Sequence, residues 1–336
     1  MKVTLLTGTA GDIQGWGNME TTHALASTLK AAGKEVDIVF VNHYAELFDY
    51  LDTQDFDLIW SSLYHISDNE NSIDIPFNDQ WVQDYLEQRQ IPYVGSPASS
   101  LKTMLNKHDT YTALKKHSIP VPEQYYIESM DILTLPELNG KFIVKPCYGS
   151  NSTGIDELSI VDTQEALKEK VESTLTKLSQ PVIVEEYLPM DEYTVLVLGN
   201  GENCQLQSVI NRVDSAFYQQ YPIITSGLKS EQAITFHKPT NHIKKMAENL
   251  AYQAATALGC LDHVRIDMRM DGEGQLKVID VNGIPGMSPI MGSRSLAIQM
   301  LYNPQYDKSK NHSLLTNCTV DSAMDRYISG RAAIAS

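Results

Sequence analysis

Apolar and polar positions follow two periods along the first hundred residues. "KVTLLTG", "EVDIVFV" and "FDLIWSS" are short apolar runs that end in glycine or polar residues, as buried strands do. Between them, "METTHALASTLKAAGK" carries apolar residues at helical spacing and stops near Gly33. "WVQDYLEQRQ" predicts another helix, leading into "IPYVGS". Strand and helix in alternation predict a parallel α/β domain over residues 1–97.

The pattern then changes. "KTMLNKHDTYTALKKHSIPVPEQYYI" predicts a helix followed by a proline-punctuated crossover. "KFIVKP" is a strand, "CYGSNSTG" a loop, "TQEALKEKVESTLTKL" an amphipathic helix with Leu167, Val171, Leu175 and Leu178 on one stripe, and "PVIVEEYL" a strand. "EYTVLVLGNGENCQLQSVI" predicts a hairpin, and so does "VRIDMRMDGEGQLKVIDVN". Between the hairpins a polar stretch precedes the helix "IKKMAENLAYQAATALG", which Gly259 stops. Two α+β subdomains, 98–188 and 189–310, are therefore expected after the first domain, with a polar, weakly patterned tail over 311–336.

Composition narrows the partners. A formal charge of −16 repels nucleic acid and anionic membranes, so neither is an expected partner. The four cysteines are scattered with no CxxC, which fits idle thiols in a reducing compartment. No run of about 18 apolar residues occurs, and the N-terminal "VTLL" is too short for a signal segment. A cytoplasmic protein is expected.

Three local patterns carry chemistry. In the second hairpin, Arg265, Asp267 and Arg269 share one strand face, and Asp280 and Asn282 share a face of the partner strand. Antiparallel pairing brings Asp267 near Asp280 with Arg265 close by. Converging carboxylates repel unless a cation lies between them, and hard oxygen ligands suit Mg²⁺. A solvated sheet face with an ion pair is the equal alternative. In "KPCYGSNSTG", small residues would let backbone N–H groups cradle phosphate, with Lys145 just before them, although most glycine-serine loops are only loops. In "VIVEEYLPMDE", an apolar strand runs into Glu185, Tyr187, Leu188 and Glu192. Its edge could read an adenine ring and a carboxylate could hold ribose, or Glu192 could be an ordinary surface charge.

Taken in order, these stretches resemble one family. A lysine in "NKHDTYTALKKHSIPVP", the strand–lysine–loop, the "VEEY…E" segment and "RID…IDVNGIPGM" together look like the ATP-grasp superfamily, in its D-alanine–D-alanine ligase-like branch. The resemblance covers roughly residues 91–292. It implies that Lys107 and Lys145 contact ATP phosphates and that the loop through Ser150, Ser152 and Gly154 closes over them. Glu185, Tyr187 and Leu188 would line the adenine pocket and Glu192 hold the ribose. Asp267, Asp280 and Asn282 would bind Mg²⁺, or Mn²⁺ in its stead. Arg265 and the Gly286 backbone would stabilise an oxyanion. The implied chemistry is attack of a carboxylate on ATP to give an acyl phosphate, then attack of an amine to give an amide. The partners are a small-molecule carboxylate and amine, and the resemblance allows a homodimer.

The departures concern the substrates. The branch's glutamate-bearing segment after the first strand reads "TGTAGDIQGWGNMETTHA", with Asp12 and Glu20 nearby. Its "LHG…GEDG" signature is replaced by "SLYHISDNENS", and "H-S-L-V-P" by "SPIMGSRSLA", where Ser293, Arg294 and Ser295 are substitutes. The loop that usually offers a lysine to phosphate reads "AFYQQYPII", with Gln219 and Gln220 instead. Position 280 is Asp where Glu is common. The expectation is a ligase joining an amino acid to a partner other than D-alanine, in small-molecule biosynthesis. The alternatives are a divergent D-alanine–D-alanine ligase and a non-catalytic nucleotide-binding protein.

Overall fold

The structure, a computed structural model, describes residues 1–67, 81–130, 135–149, 152–218, 221–230, 233–290 and 293–335. Chain order begins β1 (Lys2–Thr7), α1 (Gly11–Gln14), α2 (Met19–Ala31), β2 (Glu35–Phe40), α3 (Tyr44–Thr53), β3 (Leu58–Ser61) and α4 (Val82–Gln88). β1 lies between β2 and β3, parallel to both, as alternating strands and helices dictate. A parallel bridge from Ile59 to Tyr93 extends this sheet into the "IPYVGS" stretch.

The expected single helix after residue 97 is two: α5 (Ala98–Leu105) and α6 (Lys107–Lys116). Asn106 breaks it. Its backbone is extended and its side chain accepts from the Asp109 N–H, capping α6. The break places Lys107 at the first turn of α6, at the rim of a cavity described below.

β4 (Gln124–Ile127), β5 (Phe142–Pro146), β6 (Ile160–Val161), α7 (Gln164–Leu178) and β7 (Val182–Glu186) form an antiparallel sheet of order β4-β7-β5-β6. Leu167 and Val171 of α7 pack on it with Phe142, Val144 and Val184.

The remaining elements are β8 (Glu192–Leu198), β9 (Gln205–Val213), α8 (Ser226–Ser230), β10 (Ile234–His237), α9 (Asn241–Ala257), β11 (His263–Met270), β12 (Leu276–Asn282), α10 (Arg294–Tyr302) and α11 (Lys308–Ala335). The strands make an antiparallel sheet of order β10-β9-β8-β11-β12. Both expected hairpins are present. On β11, Val264, Ile266 and Met268 are almost wholly buried against α9, through Ala247, Ala251 and Ala254.

The polar, weakly patterned tail folds as part of α11, which packs on α2 and α10. Its buried positions include Asn311, His312, Thr316 and Thr319 beside Leu315, Val320 and Ala323. A face built half from polar residues gives no clear 3.6-residue apolar period. Arg326 on this helix ties the parts together. It bonds Asp262 at 2.8 Å and the Tyr93 carbonyl at 2.9 Å, while Asp262 accepts from the Gly95 N–H and from Asn200.

Candidate active site

The two antiparallel sheets face each other across a cleft. One cavity is walled by Lys107, Lys145, Ser152, Glu185 to Leu188, Glu192, Arg265, Asp267, Arg269, Asp280 and Arg294, with Ile223, Ile224 and Lys229 from the β9–β10 connection. Lys145 on β5 and Glu185 on β7 form a buried ion pair on the diagonal of the ladder, Lys145 standing opposite Ile183 and Glu185 opposite Ile143. Tyr111 of α6 donates to the other Glu185 oxygen at 2.8 Å. Burial, then the Glu185 charge, pushes the Tyr111 phenol well above its ordinary value, so it acts as a neutral donor. Lys107 donates to the Gly149 carbonyl at 2.9 Å and lies 3.9 Å from Asp280. Two ammonium groups thus flank the glycine-serine loop. Ser152 lines the cavity, and Gly154 forms a positive-φ turn outside its wall, where a Cβ would meet Leu178 at 2.7 Å. Ser150 lies outside the described residues.

Tyr187, Leu188 and Glu192 all line the same cavity. The Leu188 N–H, in a buried residue, has no partner among the described residues, as a hinge that reads a base edge requires. Glu192 accepts from Asn211 at 3.1 Å. Arg269, opposite Glu192 in the ladder, donates to the Pro222 carbonyl at 2.6 Å and the Tyr187 hydroxyl at 3.2 Å. Tyr187 also donates to Pro222, and Ser152 to the Ile224 carbonyl. These bonds draw the β9–β10 connection over the cavity. The enclosed space is about 100 Å³, below the size of small-molecule sites, so a nucleotide would enter only as this connection moves.

On the hairpin, Asp267 stands opposite Asp280 and Arg265 opposite Asn282. Asp267 is buried. Thr194 donates to its Oδ1 at 2.7 Å, and Arg265 and Arg294 each reach Oδ2 at 3.3 Å. Burial would raise its carboxyl, but Arg265, Arg294 and Thr194 outweigh burial and hold it below the usual range. Asp280 is a third exposed. The Asn282 amide is satisfied when its oxygen accepts from Arg265 (3.3 Å) and its nitrogen donates to the Ile284 carbonyl (3.2 Å). Among the described residues no three His, Cys, Asp or Glu form a ready metal cluster. Two carboxylates and an amide oxygen on neighbouring strands still suit a hard divalent cation, with Asp280 the more accessible carboxylate.

A group that motif reading missed is Lys229. Gln219 and Gln220 lie outside the described residues, but α8 of the same connection brings Lys229 to the cavity, where it bonds Ser152 Oγ at 2.8 Å. Burial, then Arg294 and Arg265, lowers its ammonium to about 7. The signal was the lysine in "SGLKS", nine residues beyond Gln220 in the same connection.

A second cavity of about 340 Å³ adjoins the first and shares Lys229, Arg265 and Arg294 with it. Asn282, Gly286, Ser288 and Ser293 form one side, residues 12–17 of α1 and the turn after it another, and Ile234 and Phe236 of β10 a third. The "VNGIPGM" turn is set by close packing. A Cβ on Gly283 would meet Leu101 at 2.6 Å, and the Met287 N–H bonds the Trp16 carbonyl at 2.9 Å. Ser293 caps α10 by accepting from Leu296 at 3.2 Å. Gln14 is buried, and its Oε1 accepts from the Tyr64 and His65 N–H groups, while Asp12 is exposed on the cavity wall. Glu20 lines neither cavity. Cys147 is a buried thiol on Asn106, pushed up to about 11 by burial, and is no nucleophile.

Residues 108–300 match the family described as D-ala D-ala ligase C-terminus. The chain is 29% identical over 212 residues to an uncharacterized protein of Sinorhizobium fredii, a match spanning 60% of each chain. It is 28% identical over 216 residues to the D-alanine–D-alanine ligase of Desulforudis audaxviator, covering 63% of this chain and 69% of that one. The fold superposes on the D-alanine–D-alanine ligase of Bacillus anthracis complexed with ATP, with a TM-score of 0.71 at 18% identity, over 97% of this chain and 99% of that one.

Proposed function

The chain belongs to the D-ala D-ala ligase C-terminus family and is an ATP-dependent, ADP-forming carbon–nitrogen ligase, and from that premise we propose that it joins an amino acid to a partner other than D-alanine. The observation that carries the mechanism is the meeting of two cavities at Lys229, Arg265 and Arg294. One holds the nucleotide and the other the reacting carboxylate and amine. Lys107, Lys145 and Lys229 bind phosphate oxygens. Leu188 reads the base beside Tyr187, and Glu192 takes the ribose. Asp267, Asp280 and Asn282 hold Mg²⁺, which neutralises phosphate charge when bound.

The substrate carboxylate oxygen attacks the γ-phosphorus, the bond to ADP breaks, and an acyl phosphate forms. The amine then attacks the acyl carbon and loses a proton. Arg265 and the Gly286 N–H face the oxyanion that develops, and phosphate leaves. Phosphoryl transfer of this kind needs positioning and charge neutralisation rather than a covalent nucleophile. Arg265 fits that role, since its Nε is buried without a partner among the described residues.

The non-D-alanine reading rests on the second cavity. A small zwitterion binds through a few charged contacts; Gln14 spends its oxygen on the Tyr64 and His65 N–H groups, and the carboxylate on that side is Asp12, exposed at the wall rather than held in it. The relatives named D-alanine–D-alanine ligase support the second reading, that D-alanine fills both positions. The deciding assay incubates the protein with ATP, Mg²⁺ and pairs of amino acids, followed by nucleotide chromatography and mass spectrometry. ADP and phosphate are expected, with D-alanine alone a poor substrate. AMP and pyrophosphate would sink the mechanism, and efficient D-alanine dimer formation would put the second reading first.

A further inference from the structure

β10 is the outer strand of its sheet, paired only with β9. Its alternation puts Thr235 and His237 in solvent and turns Ile234 and Phe236 toward the second cavity, where both are half-buried. Ile13, Ile284 and Ala297 continue this apolar wall from three other segments. Its cationic groups, Lys229, Arg265 and Arg294, lie where it meets the first cavity, and Asp12 adds a carboxylate to its wall. Arg294 spends only Nη1 on Asp267 and Glu192, and its Nε and Nη2 have no partner among the described residues. A guanidinium with free donors takes a carboxylate in bidentate fashion. At about 340 Å³ the cavity reaches the lower end of the size range of small-molecule sites.

We propose that Ile234 and Phe236 on β10 form the side-chain subsite for a bulky apolar amino acid, the amine partner of the reaction, with its carboxylate on Arg294. This rests on the ligase reading above and names the partner's class. The side chain covers the apolar wall while the carboxylate sits at the cationic end, which leaves the amine toward the junction of the two cavities. An alanine side chain would leave most of that wall in water. A single methylene in such a pocket shifts kcat/KM by roughly 10–200-fold.

The test compares leucine, phenylalanine and tryptophan with glycine, alanine and serine, each enantiomer, as amine partners in ADP release. Bulky apolar partners are expected to exceed alanine by about tenfold or more in kcat/KM. Phe236→Ala and Ile234→Ala are each expected to erase most of that preference with the KM for ATP nearly unchanged; Phe236 also packs on the core, so its variant loses melting temperature, and Ile234→Ala carries the test if Phe236→Ala fails to fold. Thermal shift with phenylalanine against alanine, in the presence of ADP and Mg²⁺, reads the subsite without turnover. Ligation of small or acidic partners at equal or better rates, or a preference untouched in both variants, overturns the subsite and leaves the ligase reading standing. No ADP release with any pair, but a phenylalanine-specific shift lost in Phe236→Ala, upholds the subsite and sinks the ligase reading. Absence of both overturns both.

Discussion

The two cavities are built differently. Around the first, the central charges have close partners: Lys145 on Glu185 and Asp267 on Thr194 and two arginines, within the strands and the start of α10, and Lys107 on the Gly149 carbonyl of the loop. Around the second, beyond the shared Lys229, Arg265 and Arg294, the walls come from the 12–17 stretch of α1 and the residues after it, from β10, from the end of β12 with the turn to Ser288, and from the start of α10. On the proposed reading, the general chemistry would rest mainly on neighbouring strands, where geometry is easily held. Selection of substrate would rest on segments that can vary without disturbing it.

That contrast breaks most sharply at Lys145. Lys145→Met removes one ammonium from the first cavity and leaves Glu185 with only Tyr111. Turnover is expected to fall by roughly 10²–10³-fold, the size seen on removing one charge-stabilising donor. The loss should be equal for every amine partner, because the lysine lines only the first cavity. A loss confined to some partners would mean that the two cavities are not separate in function. Thermal melting guards against misfolding.

A smaller effect is expected at the metal ligands. Asp280→Asn should raise the Mg²⁺ concentration for half-activity by about tenfold or more, since even supporting residues of metal sites change affinity 10–100-fold. Asn282→Ala should raise it less, because that amide is partly engaged by Arg265 and Ile284. Unchanged magnesium titrations in both variants would reduce the hairpin to a polar sheet face.

How much of this could be read from the sequence follows the same division. Asp267 and Asp280 face each other because strand alternation and one hairpin turn fix the register, and both are visible in "VRIDMRMDGEGQLKVIDVN". The break at Asn106 was also encoded, as an Asn three residues before an acid, but an apolar period running through it masked the cap. The long helix α11 was hidden because its buried face is half polar. Lys229 and Phe236 escaped for another reason. They reach the cavities through the path of the β9–β10 connection, and no local period reports where a connection crosses a cleft.

The smallest effect concerns the pH dependence of Lys229, which belongs to both cavities. Burial and the two arginines lower its ammonium to about 7, so the free protein loses this charge as pH rises through that value. The ratio kcat/KM for ATP reports the free enzyme. It should therefore decline several-fold above about pH 7, while kcat declines only at higher pH, because bound phosphate draws the proton back. Lys229→Arg keeps its charge at all these pH values and should flatten the decline. Stability moves the other way. With the folded value below the ordinary 10.5, the unfolded chain holds more protons between about 7 and 10.5, so folding gains as pH climbs through that window. Wild type should gain melting temperature there relative to Lys229→Met, while its capture of ATP weakens. Parallel profiles of kcat/KM for wild type and Lys229→Arg would place the phosphates away from α8 and leave Lys107 and Lys145 as the cations that hold them.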